Sequence, residues 1–242
     1  MNYLIEIATA DFTTTKNAVA GGADRIELCA ALCEGGTTPS YGTIRQCREA
    51  FAVSLFPIIR PRGGDFYYSD EEFEIQQKDV QLCKSLGCDG VVIGLLHKNG
   101  SIDVKRTEIL VRLAYPMEVT FHRAFDRCKD PFSALEQLIE AGCQRILTSG
   151  QQATAPEGAD LIAQLVQQSA DRIILMPGSG VRKDNIAQLA RQTGAVEFHS
   201  SLRGKQTSQM EFIHPSFAGS EESYRNPFIN PADVRALREA LA

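Results

Sequence analysis

Eight short β-like runs, each followed by enough chain for a helix, constrain this sequence more than any other feature. They are Tyr3–Ala8, Arg25–Cys29, Val53–Arg60, Gly90–Gly94, Glu118–Arg123, Arg145–Thr148, Arg172–Pro177 and Ala195–His199. Helical patterning between them predicts Glu71–Leu86, Asp103–Tyr115, Phe132–Ala141, Leu161–Ser169 and Asn185–Gln192, with Ala232–Leu241 after the eighth run. Further helix starts are marked by Asp130-Pro131 and by Ser40 or Thr38-Pro39, a capping residue beside a proline. Four strands are entered through a glycine step: Gly22-Ala23-Asp24, Gly87-Cys88-Asp89, Gly142-Cys143-Gln144 and Gly194-Ala195-Val196. Such a glycine closes a helix in the left-handed conformation before the next strand begins. Eight strand–helix units in 242 residues are the arithmetic of a single-domain (β/α)8 barrel of the α/β class, spanning residues 1–242. An open doubly wound sheet would carry a glycine-rich turn after its first strand, and Ala8-Thr9-Ala10-Asp11 is not one. One interval breaks the rhythm. Residues 200–230 read as a long loop without regular structure, serving as a lid, a binding loop or a partner contact, or else disordered.

Composition narrows the function classes. A net charge of −5 gives no reason to expect nucleic acid or an anionic membrane as partner. The first ten residues lack a basic region and carry Glu6 in their apolar run, unlike a signal peptide, and no apolar stretch approaches a membrane span. Seven cysteines, without a CxxC pair, argue against a disulfide framework and for a cytoplasmic chain.

Barrels of this kind keep their chemistry where strands end and the following loops begin. The ends of the predicted strands supply Glu6, Glu27, Cys29, Arg60, Arg62, Thr120, His122, Arg123, Asp126, Thr148, Ser149, Glu197, His199 and Ser200. Charged residues are seldom buried without a partner, so such a ring is better explained by a site than by packing. Arg60 and Arg62, at i and i+2, would share a strand face and clamp a carboxylate or phosphate. Arg123, the Gly178-Ser179-Gly180 loop after strand seven and Ser200 after strand eight would complete an anion site. Glu27, His122 and Asp126 are the candidates for acid–base work, with a carboxylate such as Glu27 fixing the His122 tautomer. Glu6, Thr148, Glu197 and His199 are further pocket residues, although Glu6 could equally pair with an arginine in the barrel floor. For a soft metal, Cys29 and Cys33 form the one close thiol pair near a strand end. The remaining cysteines, Cys47, Cys83, Cys88, Cys128 and Cys143, are expected in the core.

Several longer motifs carry a resemblance. Glu27-Leu28-Cys29, the run from Glu34 to Ser40, Ile59-Arg60-Pro61-Arg62-Gly63-Gly64-Asp65-Phe66 and the run from Thr120 to Asp126 resemble the CutC family. So do Leu147–Gly150, Gly178–Val181 and Glu197–Ser200, and the likeness runs from about residue 4 to residue 225. The resemblance implies a TIM-like barrel, a cytoplasmic protein, a part in copper homeostasis with copper, as Cu(I), for a ligand, and self-association as a homo-oligomer. The residues themselves suggest an alternative: a barrel enzyme for a small phosphorylated or carboxylated metabolite, with a mouth lined by Glu, His and Arg. Two partner classes therefore stand side by side, a copper ion and a small anionic metabolite.

Overall fold

All eight predicted runs become strands of one ring. A computed structural model describes residues 3–219 and 224–242, and every ladder pairing among the eight strands is parallel. They are β1 (Leu4–Thr9), β2 (Arg25–Leu28), β3 (Ser54–Pro57), β4 (Gly90–Ile93), β5 (Glu118–Phe121), β6 (Arg145–Thr148), β7 (Ile174–Pro177) and β8 (Glu197–Ser200). Four pair in the order β3-β2-β1-β8 and four in the order β4-β5-β6-β7. The halves join on one side through a parallel bridge, Ile58 to Val92, reinforced by the Ile59 N–H donating to the Val92 carbonyl at 2.8 Å. On the other side β7 lies beside β8. This is the (β/α)8 barrel that the spacing predicts.

Helices follow the strands: α1 (Phe12–Ala20), α2 (Tyr41–Ala50), α3 (Asp70–Ser85), α4 (Val104–Ala114), α5 (Pro131–Glu140), α6 (Ala159–Ser169), α7 (Ile186–Thr193) and α8 (Pro231–Glu239). The predicted starts hold, with Ser40 capping α2 and Asp130 capping α5 ahead of Pro131. The glycine steps hold too: Gly22, Gly87, Gly142 and Gly194 all have φ between 73° and 89°. The residue two places after three of them does a second task. Asp24 accepts from the Ile5 N–H, Asp89 from the Leu55 N–H and Gln144 from the Val119 N–H, at 2.8, 2.9 and 2.6 Å. Each satisfies a backbone donor at the start of the preceding strand, where no ladder partner reaches it.

Outside the ring, helix and strand faces meet in an apolar layer that includes Ile5, Ile7, Leu28, Ile93, Phe121 and Leu135. Each such side chain contributes about 1.5–3 kcal/mol by leaving water. Inside the ring the floor is charged. Arg25 Nε donates to Glu6 at 2.5 Å, and Glu197 accepts from both Arg25 and Arg145 at 2.6 Å. Both guanidinium groups also lie over the Phe56 ring, at 5.1 and 5.6 Å. Two carboxylates against two guanidinium groups neutralise one another, which makes full burial tolerable. The five predicted core cysteines are buried.

The interval 200–230 differs from its reading as irregular loop. Gly204–Thr207 (β9) pairs antiparallel with Arg225–Phe228 (β10), forming an exposed two-stranded ribbon. Consecutive polar residues in Lys205-Gln206-Thr207 suit a strand with both faces in water, and such a strand has no apolar signature to find. Residues 220–223 of that interval lie outside the described residues. Among the described residues no helix is long and apolar enough to cross a membrane.

Candidate functional site

The strand ends open on a cavity of about 880 Å³, lined by residues from around the ring. Glu27 reaches it from β2, Arg60 from the segment after β3, His122 from the end of β5 and His199 from β8. The turn Ser179–Val181 after β7 and Ser200–Arg203 after β8 close it from the other side.

Glu27 and His199 face each other in it. His199 Nδ1 lies 2.8 Å from Glu6 Oε1, and its Nε2 lies 3.8 Å from Glu27 Oε2. Glu6 is fully buried, and although burial alone would raise its pKa, Arg25 and His199 outweigh it and hold the carboxyl well below the usual range. An ionised Glu6 can only accept, so His199 Nδ1 carries a proton and donates it. That fixes the ring and turns Nε2 to Glu27. Burial pushes the Glu27 carboxyl up to about 7, with the Glu6 charge adding to the rise and His199 opposing it. Burial works against the His199 cation, but the Glu6 hydrogen bond and the Glu27 and Glu6 charges prevail and raise its pKa. Both shifts run the same way, so each group holds its proton to a higher pH than it would in water, and a carboxyl lifted towards neutrality beside an imidazole is suited to acid–base work. The expectation that Glu27 partners His122 is corrected: Glu27 faces His199.

His122 itself is not a proton carrier near neutrality. Burial, helped by the Arg60 charge, lowers its pKa to about 3. Its Nδ1 accepts from the Ala124 N–H at 3.0 Å, so the backbone and no carboxylate sets its tautomer.

Arg60 is the buried cation of the cavity wall, which Arg123, Arg127, Arg182, Lys183 and Arg203 also line. It is 3% exposed, and its guanidinium donates to the carbonyls of Glu34, Gly36 and Gly64 at 2.8–2.9 Å. Among the described residues no carboxylate lies within ion-pair distance of it. Arg62 does not join it. The ladder ends at Pro57 and Ile58, so the i, i+2 rule for strands no longer holds at 60 and 62. Arg62 instead turns outward, with Nε on Glu72 at 2.5 Å and Nη2 on Asp65 and the Tyr67 carbonyl, stapling the loop to α3.

Other candidates are sorted the same way. Asp126 is at the cavity, but it accepts from Thr148 Oγ1, the Ser149 and Gln151 N–H groups, Ser149 Oγ and Arg123 Nε. A carboxylate so saturated anchors the loop after β6 and is not a free acid or base. Arg123 lines the cavity with its charge committed to Asp126, and Thr148 is buried behind it. Glu197 belongs to the floor, and Glu6 serves both the floor and His199. Ser179 and Gly180 have φ of 75° and 72° and line the cavity, as does Ser200, whose hydroxyl donates to the Val181 carbonyl. Gly178, expected with them, is not among the residues lining the cavity, and a Cβ there would come within 2.4 Å of Leu147.

The thiol pair does not fit Cu(I). Cys29 is buried against Phe56, Ile58 and Val92, and burial, aided by Glu27, pushes its thiol well above the ordinary value. A metal thiolate needs the opposite shift. Cys33 is exposed, and among the described residues no three His, Cys, Asp or Glu side chains group to hold a metal ion.

Sequence reasoning missed Arg25 and Arg145, although Ala23-Asp24-Arg25-Ile26 and Cys143-Gln144-Arg145-Ile146 repeat the same step into a strand. It also missed Phe66 and Arg203 in the cavity wall; the latter donates to the Leu32 carbonyl at 2.9 Å across the mouth.

Comparison with known proteins bears on the family and the fold. The model of the CutC family matches residues 3–204. A CutC family protein of Chromobacterium violaceum is 50% identical, over 100% of this chain and 99% of the relative. A relative from Mus musculus named copper homeostasis protein cutC homolog is 43% identical over 98% of this chain and 87% of its own length. The crystal structure of CutC from Streptococcus agalactiae superposes with a TM-score of 0.79 at 32% identity, covering 82% of this chain and 98% of that one.

Proposed function

The chain belongs to the CutC family, and from that premise we propose that it is a cytoplasmic barrel enzyme that moves a proton on a small phosphorylated or carboxylated metabolite. One observation carries the reading. Arg60 is a buried cation that has no carboxylate partner among the described residues, in the wall of the cavity that also holds Glu27 and His199. A buried charge held only by carbonyl dipoles still lacks a counter-charge, and an anionic ligand would supply one. The Ser179–Val181 turn follows β7 and Ser200–Arg203 runs on from the last residue of β8, where barrels of this type commonly bind phosphate. Glu27 and His199 would then face the ligand's reacting carbon as base and acid. Seven free cysteines support the cytoplasmic location.

The family's link to copper homeostasis stands as the name of its members, and direct Cu(I) binding through Cys29 and Cys33 finds no support in the geometry. Both readings are tested by titrating the protein with inorganic phosphate and, separately, with Cu(I) under reduction, while following backbone amide resonances. We expect phosphate to move the amides of Ser179–Val181 and Ser200–Arg203. We expect the Cys29→Ser/Cys33→Ser variant to take up Cu(I) as the wild type does. Phosphate-insensitive amides together with thiol-dependent, stoichiometric Cu(I) uptake would reverse the assignment.

A further inference from the structure

The cavity wall holds a second feature that the proton-sharing pair does not use. His122 is 4% exposed, and its Nε2 is buried without a hydrogen-bond partner among the described residues. Because Nδ1 accepts from the Ala124 N–H, the proton of the neutral ring must sit on Nε2. An N–H donor left unpaired in a protein interior costs about 1–3 kcal/mol, so such groups call for a partner. Arg60 Nε is a second buried donor without a hydrogen-bond partner among the described residues. Phe66 lies between the two, with its ring centroid 4.8 Å from that of His122 and 5.1 Å from the Arg60 guanidinium carbon. Gly94 makes room for the imidazole, since a Cβ there would stand 2.2 Å from His122 Cε1. Two unpaired donors, one neutral and one charged, thus flank a single aromatic ring in the wall of one cavity. β5, which ends just before His122, lies three strands round the ring from β2, which carries Glu27.

We propose that His122 is a fixed, neutral Nε2–H donor to a carbonyl oxygen, and that the metabolite of this site is therefore a small phosphorylated ketone or aldehyde. The inference rests on the reading of the cavity as an anion site. In the reaction, the Glu27 carboxylate takes the proton from the carbon next to the carbonyl. The C–H electron pair forms the carbon–carbon double bond, and the carbonyl π pair moves to oxygen as an enolate, which accepts from His122 Nε2–H. Return of the proton from Glu27 or His199 to the same carbon regenerates the ketone, and its return to the former carbonyl carbon, once the α-hydroxyl proton has passed to the enolate oxygen, gives the isomeric aldehyde, with no oxidant or further reactant. A neutral donor suits the step, because it stabilises the developing oxyanion without giving up its proton.

The test compares two probes that differ by one oxygen: dihydroxyacetone phosphate and 3-hydroxypropyl phosphate, which lacks the C2 carbonyl. We expect wild type to bind the ketone at least tenfold more tightly, and His122→Phe, with circular dichroism confirming its fold, to bind both equally. His122→Gln, which keeps an N–H donor, should restore part of the preference. Nitrogen-15 spectra of the wild type should show His122 protonated on Nε2 alone from pH 5 to 8, a result that does not depend on any variant. Equal affinities in the wild type, a preference that survives in His122→Phe, or titration of His122 near neutrality overturns the proposal. If inorganic phosphate binds and the ketone gains nothing, the anion site stands and the carbonyl donor fails. If none of the three binds, both fail.

Discussion

Glu27 carries a penalty that depends on pH. Its ordinary value is 4.5 and burial lifts it to about 7, so the folded chain holds this proton more tightly than the unfolded chain does. The Glu27 contribution is therefore fully present below pH 4.5 and is lost as pH rises towards 7. A shift of this size corresponds to about 3 kcal/mol. We predict that Glu27→Gln gains about that much stability relative to wild type between pH 4 and pH 8, measured by urea denaturation at each pH. A constant difference across that range would show that Glu27 is not buried as described. At this scale the sequence was informative about which residues matter and poor about their partners. Glu27, His199 and Arg60 announced themselves as charged groups at strand ends. The pairing of Glu27 with His199 depends on Glu6 from β1 turning the imidazole, a three-strand contact that no spacing within the chain encodes. Arg62 was misassigned because its strand rule was carried past the end of β3.

Elements were more legible than contacts. Strand existence followed from short apolar runs between glycine and proline punctuation, and the eighth-strand count alone selected the barrel. Helix α1 went unpredicted: Phe12-Thr13-Thr14-Thr15-Lys16-Asn17 is poor in helix formers, and the Asp11–Thr14 capping box starts the helix despite that. Two glycines separate packing from propensity. At Gly90 a Cβ would meet Phe56 at 2.2 Å inside the ring, whereas at Gly42 in α2 nothing lies within 4 Å. Gly90→Ala should cost about 1–3 kcal/mol by overpacking. Gly42→Ala should stabilise by up to about 1 kcal/mol through helix propensity. Paired chemical denaturation curves check both, and a tolerated Gly90→Ala would mean that Phe56 does not fill the barrel as described.

Over the whole molecule, a charge-neutral floor supports a mouth whose charge is not neutral. Glu6, Arg25, Arg145 and Glu197 cancel among themselves below, and Arg60 stands above them without a carboxylate partner among the described residues. The ring brings that cation into one cavity with Glu27 and His199, from strands that are far apart in the chain. The central claim is that this cavity binds an anion through Arg60. The direct measurement is the affinity for 2-phosphoglycolate, by calorimetry, of wild type, Arg60→Met and Arg62→Ala, each shown to be folded by circular dichroism. Wild type and Arg62→Ala should bind alike, and Arg60→Met should lose at least tenfold, about 1.4 kcal/mol. Undiminished binding by Arg60→Met, or a loss confined to Arg62→Ala, would contradict the claim.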